Sequence, residues 1–138
     1  HWGPAGGRFG ELAGPNASRV HFIQTYVFTE HNGAKGDALL AALKTAYPQI
    51  KTLADVTPAV GIANAYDALH LTAQAIEKAG STDGKAIRDG YYAINEYDGL
   101  IKHYKQPFSA SVHDALGPDD YQFTHVVNDQ IVPLKPEE

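Results

Sequence analysis

The longest amphipathic pattern in the chain runs from Thr57 to Gly80, TPAVGIANAYDALHLTAQAIEKAG. Ile62, Tyr66, Leu69, Ala73 and Ile76 recur at spacings of 4, 3, 4 and 3, a single apolar stripe at the helical period. Thr57 offers a hydroxyl to cap the first amides, and Pro58 stands at the first helical position, where its missing N–H costs nothing. Gly80 suits a left-handed C-cap. The segment is rich in alanine and almost uncharged before Glu77, so it predicts a long helix packed on most sides. Within its first turns Gly61 costs about 1 kcal/mol relative to alanine. A glycine there implies a close approach to the backbone, by another helix or by a ligand.

Shorter patterns flank this helix. Arg8 to Ala13 predicts a short helix stopped by Gly14-Pro15, and Val20 to Val27 (VHFIQTYV) predicts a strand. Asn16-Ala17-Ser18 matches a glycosylation sequon but reads as plain loop. Thr29 to Lys35 reads as a loop built on Asn32-Gly33. Gly36 to Tyr47 predicts a helix with Leu39, Leu40, Leu43 and Tyr47 on one face, closed by Pro48. Beyond Gly80, Ser81 or Thr82 would cap a third helix reaching about Asn95, with Ala86, Ile87, Tyr91 and Ile94 inward. The remainder predicts an extended segment interrupted at Pro107-Phe108. It ends in a β-hairpin, Tyr121–Val127 and Gln130–Leu134, turning at Asn128-Asp129.

Composition narrows the function classes. The 138 residues fit one domain or part of one. A net charge of −5 argues against a nucleic-acid partner. No cysteine is present, which excludes disulfides and thiolate chemistry and leaves the redox compartment open. There is no methionine and no signal-peptide pattern, and the opening HWGPAGG reads as the interior of a longer protein.

Candidate chemistry is sparse. Seven histidines form no HxxxH or HExxH pair, so no metal site is expected. His113-Asp114 would supply half of a nucleophilic triad, but no GxSxG elbow accompanies it. Asp119-Asp120 follows a Gly-Pro turn as solvated loop charge. No catalytic residue and no cofactor is predicted.

The run YDALHLTAQAIEKAGSTDGKAIRDG, then YDGLIKHYKQPFS, then HDALGPDDYQFTHVVNDQIVPL resembles the C-terminal portion of type I periplasmic solute-binding proteins of ABC importers. The subgroup is the one named for leucine, isoleucine and valine. The likeness extends from Trp2 to Leu134 and rests on the order and spacing of these segments. It implies an α/β fold: a C-terminal fragment of a two-lobed binding protein, helix-rich with a terminal β-hairpin. Residues 1–27 and about 108–138 would belong to the second lobe, and about 30–100 would be first-lobe helices. Leu100–Pro107 would lead toward the last crossover between lobes. Such a piece would leave helix faces uncovered, which a domain-swapped homo-oligomer or a partner fragment would resolve.

The resemblance also implies a job and a site. Amino-acid-binding members carry an acid where Trp2 stands, paired with the ligand ammonium, and a large aromatic where Gly61 stands. Tryptophan brings a flat apolar face in place of that charge, and Gly61, flanked by Val60 and Asn64, widens the cleft. Together Trp2, Val60, Gly61 and Asn64 would bind a small carboxylate, with an aromatic acid expected in place of a branched-chain amino acid. The implied protein is periplasmic, is not an enzyme and delivers ligand to an ABC permease. A ligand-sensing domain of a receptor or regulator is the other role this fold would fill.

Overall fold

The computed structural model describes residues 3–6 and 9–135. Among the described residues there are four α-helices (α1 Phe9–Ala13, α2 Gly33–Ala46, α3 Ala59–Ala79, α4 Gly84–Tyr92) and five strands, one strand following α1 and four following α4. The strands are β1 Phe22–Gln24, β2 Glu96–Asp98, β3 His103–Lys105, β4 Gln122–Val127 and β5 Gln130–Pro133. The chain is thus α/β and helix-rich, and it closes on a β-hairpin. Two compact units form: the chain up to Ile62 joined by the segment from Tyr121 onward, and Ala63–Asp120.

The first unit is built on an antiparallel sheet in the order β1-β4-β5. Asn128 and Asp129 both take positive φ (49° and 63°), the two-residue turn that matches the twist of β4 and β5, as the Asn-Asp signal predicts. The predicted strand at Val20–Val27 shortens to Phe22–Gln24, because only these residues find partners on β4, at Thr124, Phe123 and Gln122. Alternation then sends Phe22, Thr124 and Val126 inward, where Phe22 meets Phe9 edge-on at 5.1 Å. After α1 the chain does not pass straight into a loop. Gly14, at φ +55°, starts a 3-10 turn, Gly14–Arg19, that buries Ala17 in the same cluster.

Helix α2 starts at Gly33 (φ +70°), earlier than the predicted Gly36. Asn32 explains the gain. Its side chain accepts from the Thr29 amide at 2.6 Å and donates to the Thr29 carbonyl at 2.8 Å, tying the preceding turn. Gly36 is buried because a Cβ there would lie 2.4 Å from the Asn32 Cβ and 2.6 Å from the Tyr26 hydroxyl. Of α2 only Gly36 is buried, while Leu39, Leu40 and Leu43 are half-buried and Tyr47 is 51% exposed.

The second unit shows where the α3 pattern misleads. Its buried face is Ala63, Asp67, Leu71 and Ala75, one step round from the predicted stripe, and Leu69 is 70% exposed. The reason is the closeness of α4: a Cβ on Gly90 would fall 2.1 Å from the Ala75 carbonyl oxygen, so small residues line the crossing. Gly80 takes the expected left-handed conformation at φ +57°. Thr57 does not cap the helix, since its hydroxyl donates to the Ala5 carbonyl at 3.4 Å. The α4 cap is neither Ser81 nor Thr82 but Asp83, whose carboxylate accepts from the Lys85 and Ala86 amides at 3.0 and 3.1 Å.

The segment predicted as one extended run to Pro107 is itself a hairpin. Strands β2 and β3 pair antiparallel with Tyr97 opposite Tyr104. Both tyrosines point inward to a core of Leu71, Ala75 and Ile94.

Two substitutions test this packing. Gly90→Ala is expected to lower stability by about 3 kcal/mol through overpacking against Ala75. Asp83→Ala is expected to cost about 1 kcal/mol through the lost cap. Urea denaturation followed by circular dichroism reads both, as a drop in midpoint with unchanged slope.

Candidate functional site

Of the residues singled out from the sequence, Trp2 lies outside the described residues. Val60, Gly61 and Asn64 share the first turns of α3, with Val60 and Asn64 half-buried and Gly61 exposed. The close approach expected at Gly61 comes from Pro58, whose Cγ would stand 3.0 Å from an added Cβ. Beyond its chain neighbours and the backbone of its own helix, nothing else described lies within 4 Å of that point. Gly61 therefore clears the ring three residues before it and leaves its outer side open.

The first unit holds a cavity of about 690 Å³ beside this helix start. Phe9, Phe28, Val56 and Val126 give it apolar walls. Among the described residues its charged lining consists of Glu11, Asp55 and Asp129. Asp55 is already engaged as a cap: the Thr52 and Lys51 amides and the Thr52 hydroxyl donate to it and hold its carboxyl below the usual range. Neither Val60, Gly61 nor Asn64 lines this cavity.

The second unit contains a dense polar cluster, one that the sequence pattern does not reveal. The Asp67 carboxylate is 2% exposed and accepts four hydrogen bonds. The Leu100 amide donates at 2.6 Å and the Ile101 amide at 3.0 Å, both from the turn between β2 and β3. The Tyr104 and Tyr97 hydroxyls donate at 3.0 and 3.2 Å. Gly99 admits the carboxylate, because a Cβ there would lie 2.8 Å from Asp67 Oδ2. Burial, then the Asp67 charge and its hydrogen bonds, pushes both phenols well above the ordinary tyrosine range. With two donors on each oxygen, Asp67 has nothing left to offer a substrate. It is a structural anchor.

The remaining candidates are likewise engaged. Lys102 Nζ and the Gly117 amide share Asp120 Oδ2 at 2.5 and 2.6 Å. Desolvation raises the Asp120 carboxyl, but these two donors outweigh it and leave it lowered. His113 stacks on Tyr92, and its Nε2 lies 3.2 Å from the Tyr92 hydroxyl, so the nitrogen a triad would direct at a nucleophile faces a phenol. Among the described residues no three metal-ligating side chains cluster, and no helix is long and apolar enough to cross a membrane.

Neither a protein-family model nor a curated protein sequence matches the chain. Solved structures do. A type 1 periplasmic binding protein from Bordetella pertussis Tohama I matches 91% of the chain at 23% identity with a TM-score of 0.69. An extracellular ligand-binding receptor from Rhodopseudomonas palustris matches 92% at 16% identity and 0.63. An ABC-transporter solute-binding protein from R. palustris, in complex with benzoate, matches 90% at 16% identity and 0.59. The chain spans 36%, 37% and 31% of these three proteins, so it has the fold of about a third of a type I periplasmic binding protein.

The anchor makes two predictions. Asp67→Ala strands two amides and two hydroxyls and is expected to cost about 3–5 kcal/mol, with Asp67→Asn losing less because its oxygen still accepts. Alkaline titration followed by tyrosinate absorbance tests the second. The raised folded-state values mean that Tyr97 and Tyr104 contribute stability that is complete below about pH 10 and is lost as pH rises further. Both should ionise only as the second unit unfolds, and in Tyr97→Phe/Tyr104→Phe that late component should vanish.

Proposed function

We propose that the chain is the C-terminal portion of an extracytoplasmic solute-binding protein of an ABC importer, contributing to both lobes of a hinged trap. The observation that carries this reading is the fold likeness over nine-tenths of the chain to binding proteins of that type. The protein captures and does not catalyse. Ligand bridging the lobes stabilises the closed form by its differential affinity, and that form docks on a membrane permease.

The ligand is a small carboxylate, with an aromatic acid preferred over a branched-chain amino acid. Support comes from the start of α3, where Gly61 presents an open flank in place of a bulky side chain. Trp2 supplies a stacking surface and no charge to pair with an ammonium group. Benzoate in one similar protein is consistent with this ligand class. A second role, ligand sensing by a receptor, draws support from the extracellular receptor among the similar proteins. Disrupting the genes of an adjacent permease separates the two: uptake is lost in the first and signalling persists in the second.

Calorimetric titration of the complete two-lobed protein tests the ligand class. Benzoate is expected to bind at least about tenfold more tightly than leucine, a difference of ~1.4 kcal/mol. Gly61→Trp is expected to abolish benzoate binding by filling the cleft. Tighter binding of leucine would sink the aromatic-acid assignment.

A further inference from the structure

The second unit carries a groove of about 520 Å³. Leu71 from α3, Ile87 and Tyr91 from α4 and Phe108 from the following segment make its floor and walls. Tyr91 and Phe108 meet edge-on at 5.3 Å, and the Tyr91 hydroxyl is held by Thr72 Oγ1 at 2.6 Å, so this aromatic corner is fixed. At one rim Tyr92 and His113 lie parallel, 5° between planes and 6.2 Å between centroids, bound through the 3.2 Å contact of hydroxyl and Nε2. The guanidinium of Arg88 sits 6.0 Å from the Tyr92 centroid.

Among the described residues the charged and protonatable lining is Arg88 and His113, and Asp89, outside that lining, takes hydrogen bonds from Arg88 Nε and Nη2 at 2.9 and 2.6 Å. Arg88 pairs with Asp89 at 2.6 Å, but both side chains are more than half exposed, and an exposed pair of this kind holds its partners weakly. A carboxylate arriving at the rim gains a planar, two-pronged donor beside an aromatic face. Gly84, with no atom beyond its chain neighbours and its own helix backbone within 4 Å of where a Cβ would stand, keeps the α4 side open.

From this juxtaposition we infer that the groove is a second binding site, for a planar aromatic anion. The ring packs against Phe108, Tyr91 and Leu71, and the carboxylate meets Arg88. This site lies wholly on α3, α4 and the segment after β3, and it does not depend on the cleft proposed above. It gives the protein a second address for the same chemical class as the proposed transport ligand.

The test uses the 138-residue chain and naphthalene-1-carboxylate, followed by amide chemical-shift changes in NMR. Saturable shifts are expected at residues 68–72, 84–92 and 108–113. Ala68→Trp, which drops an indole into the groove from an exposed helix position, should abolish them. Arg88→Gln should weaken binding about tenfold and leave circular dichroism unchanged. Naphthalene-1-methanol, lacking the charge, should bind about tenfold more weakly than the acid and be indifferent to Arg88→Gln. Equal binding of acid and alcohol, or shifts untouched by both variants, would overturn the site. Gly61→Trp should leave the groove unaffected, so loss of the cleft reading and loss of this one are distinguishable.

Discussion

One buried carboxylate holds the second unit together. A two-stranded hairpin such as β2–β3 is marginal by itself, and α3 offers it a face of mostly small residues. Asp67 fixes it there. Removing a carboxylate from water costs several kcal/mol, which only complete hydrogen bonding offsets. Here, among the described residues, the donors are two backbone amides and two phenols, and no cation is paired with it. Charge-assisted bonds are the stronger kind, and their geometry fixes the turn at Leu100-Ile101 as tightly as packing would. The core of Ile94, Tyr97 and Tyr104 then follows from where that turn is held.

Elsewhere the chain buries little and exposes much. Five residues form the centre of one core and three the centre of the other. Leu12, Leu69 and Phe123 are 80%, 70% and 63% exposed, and α2 has one buried residue in fourteen. Scattered apolar side chains on a surface are ordinary, but an entire helix with a half-covered leucine face is not. These faces accord with a fold that occupies about a third of the proteins it resembles. The proposed trap would cover them with the rest of its two lobes.

The sequence made some of this legible and hid the rest for physical reasons. Punctuation read well: Gly80, Gly14 and Asn128-Asp129 all take the positive φ their residue types favour. Periodicity found α3 but not its buried face, because the tightest contact uses Ala75 and Gly90, which a hydrophobicity pattern ranks low. Asp67 was invisible among Ala, Leu and Tyr, since a lone acid on a helix looks like solvent exposure until its donors are seen. The β2–β3 hairpin was signalled faintly by Glu96-Tyr97-Asp98 and His103-Tyr104-Lys105, each a tyrosine between charged or polar neighbours. At the candidate ligand site, the close approach to Gly61 expected from another helix or a ligand is instead made by Pro58 of its own chain segment.

The topology of the first unit sets an order of assembly. Its central sheet joins Phe22 to Thr124 across 102 residues, whereas the anchor contacts of the second unit span 30 to 37. Closing the longer loop costs more chain entropy, and on a ribosome its far strand emerges after the middle of the chain. The middle of the chain can therefore reach its native contacts while β1 still lacks a neighbour. For that interval Phe22–Gln24 is a bare edge, open to pairing with the same strand of a second nascent copy.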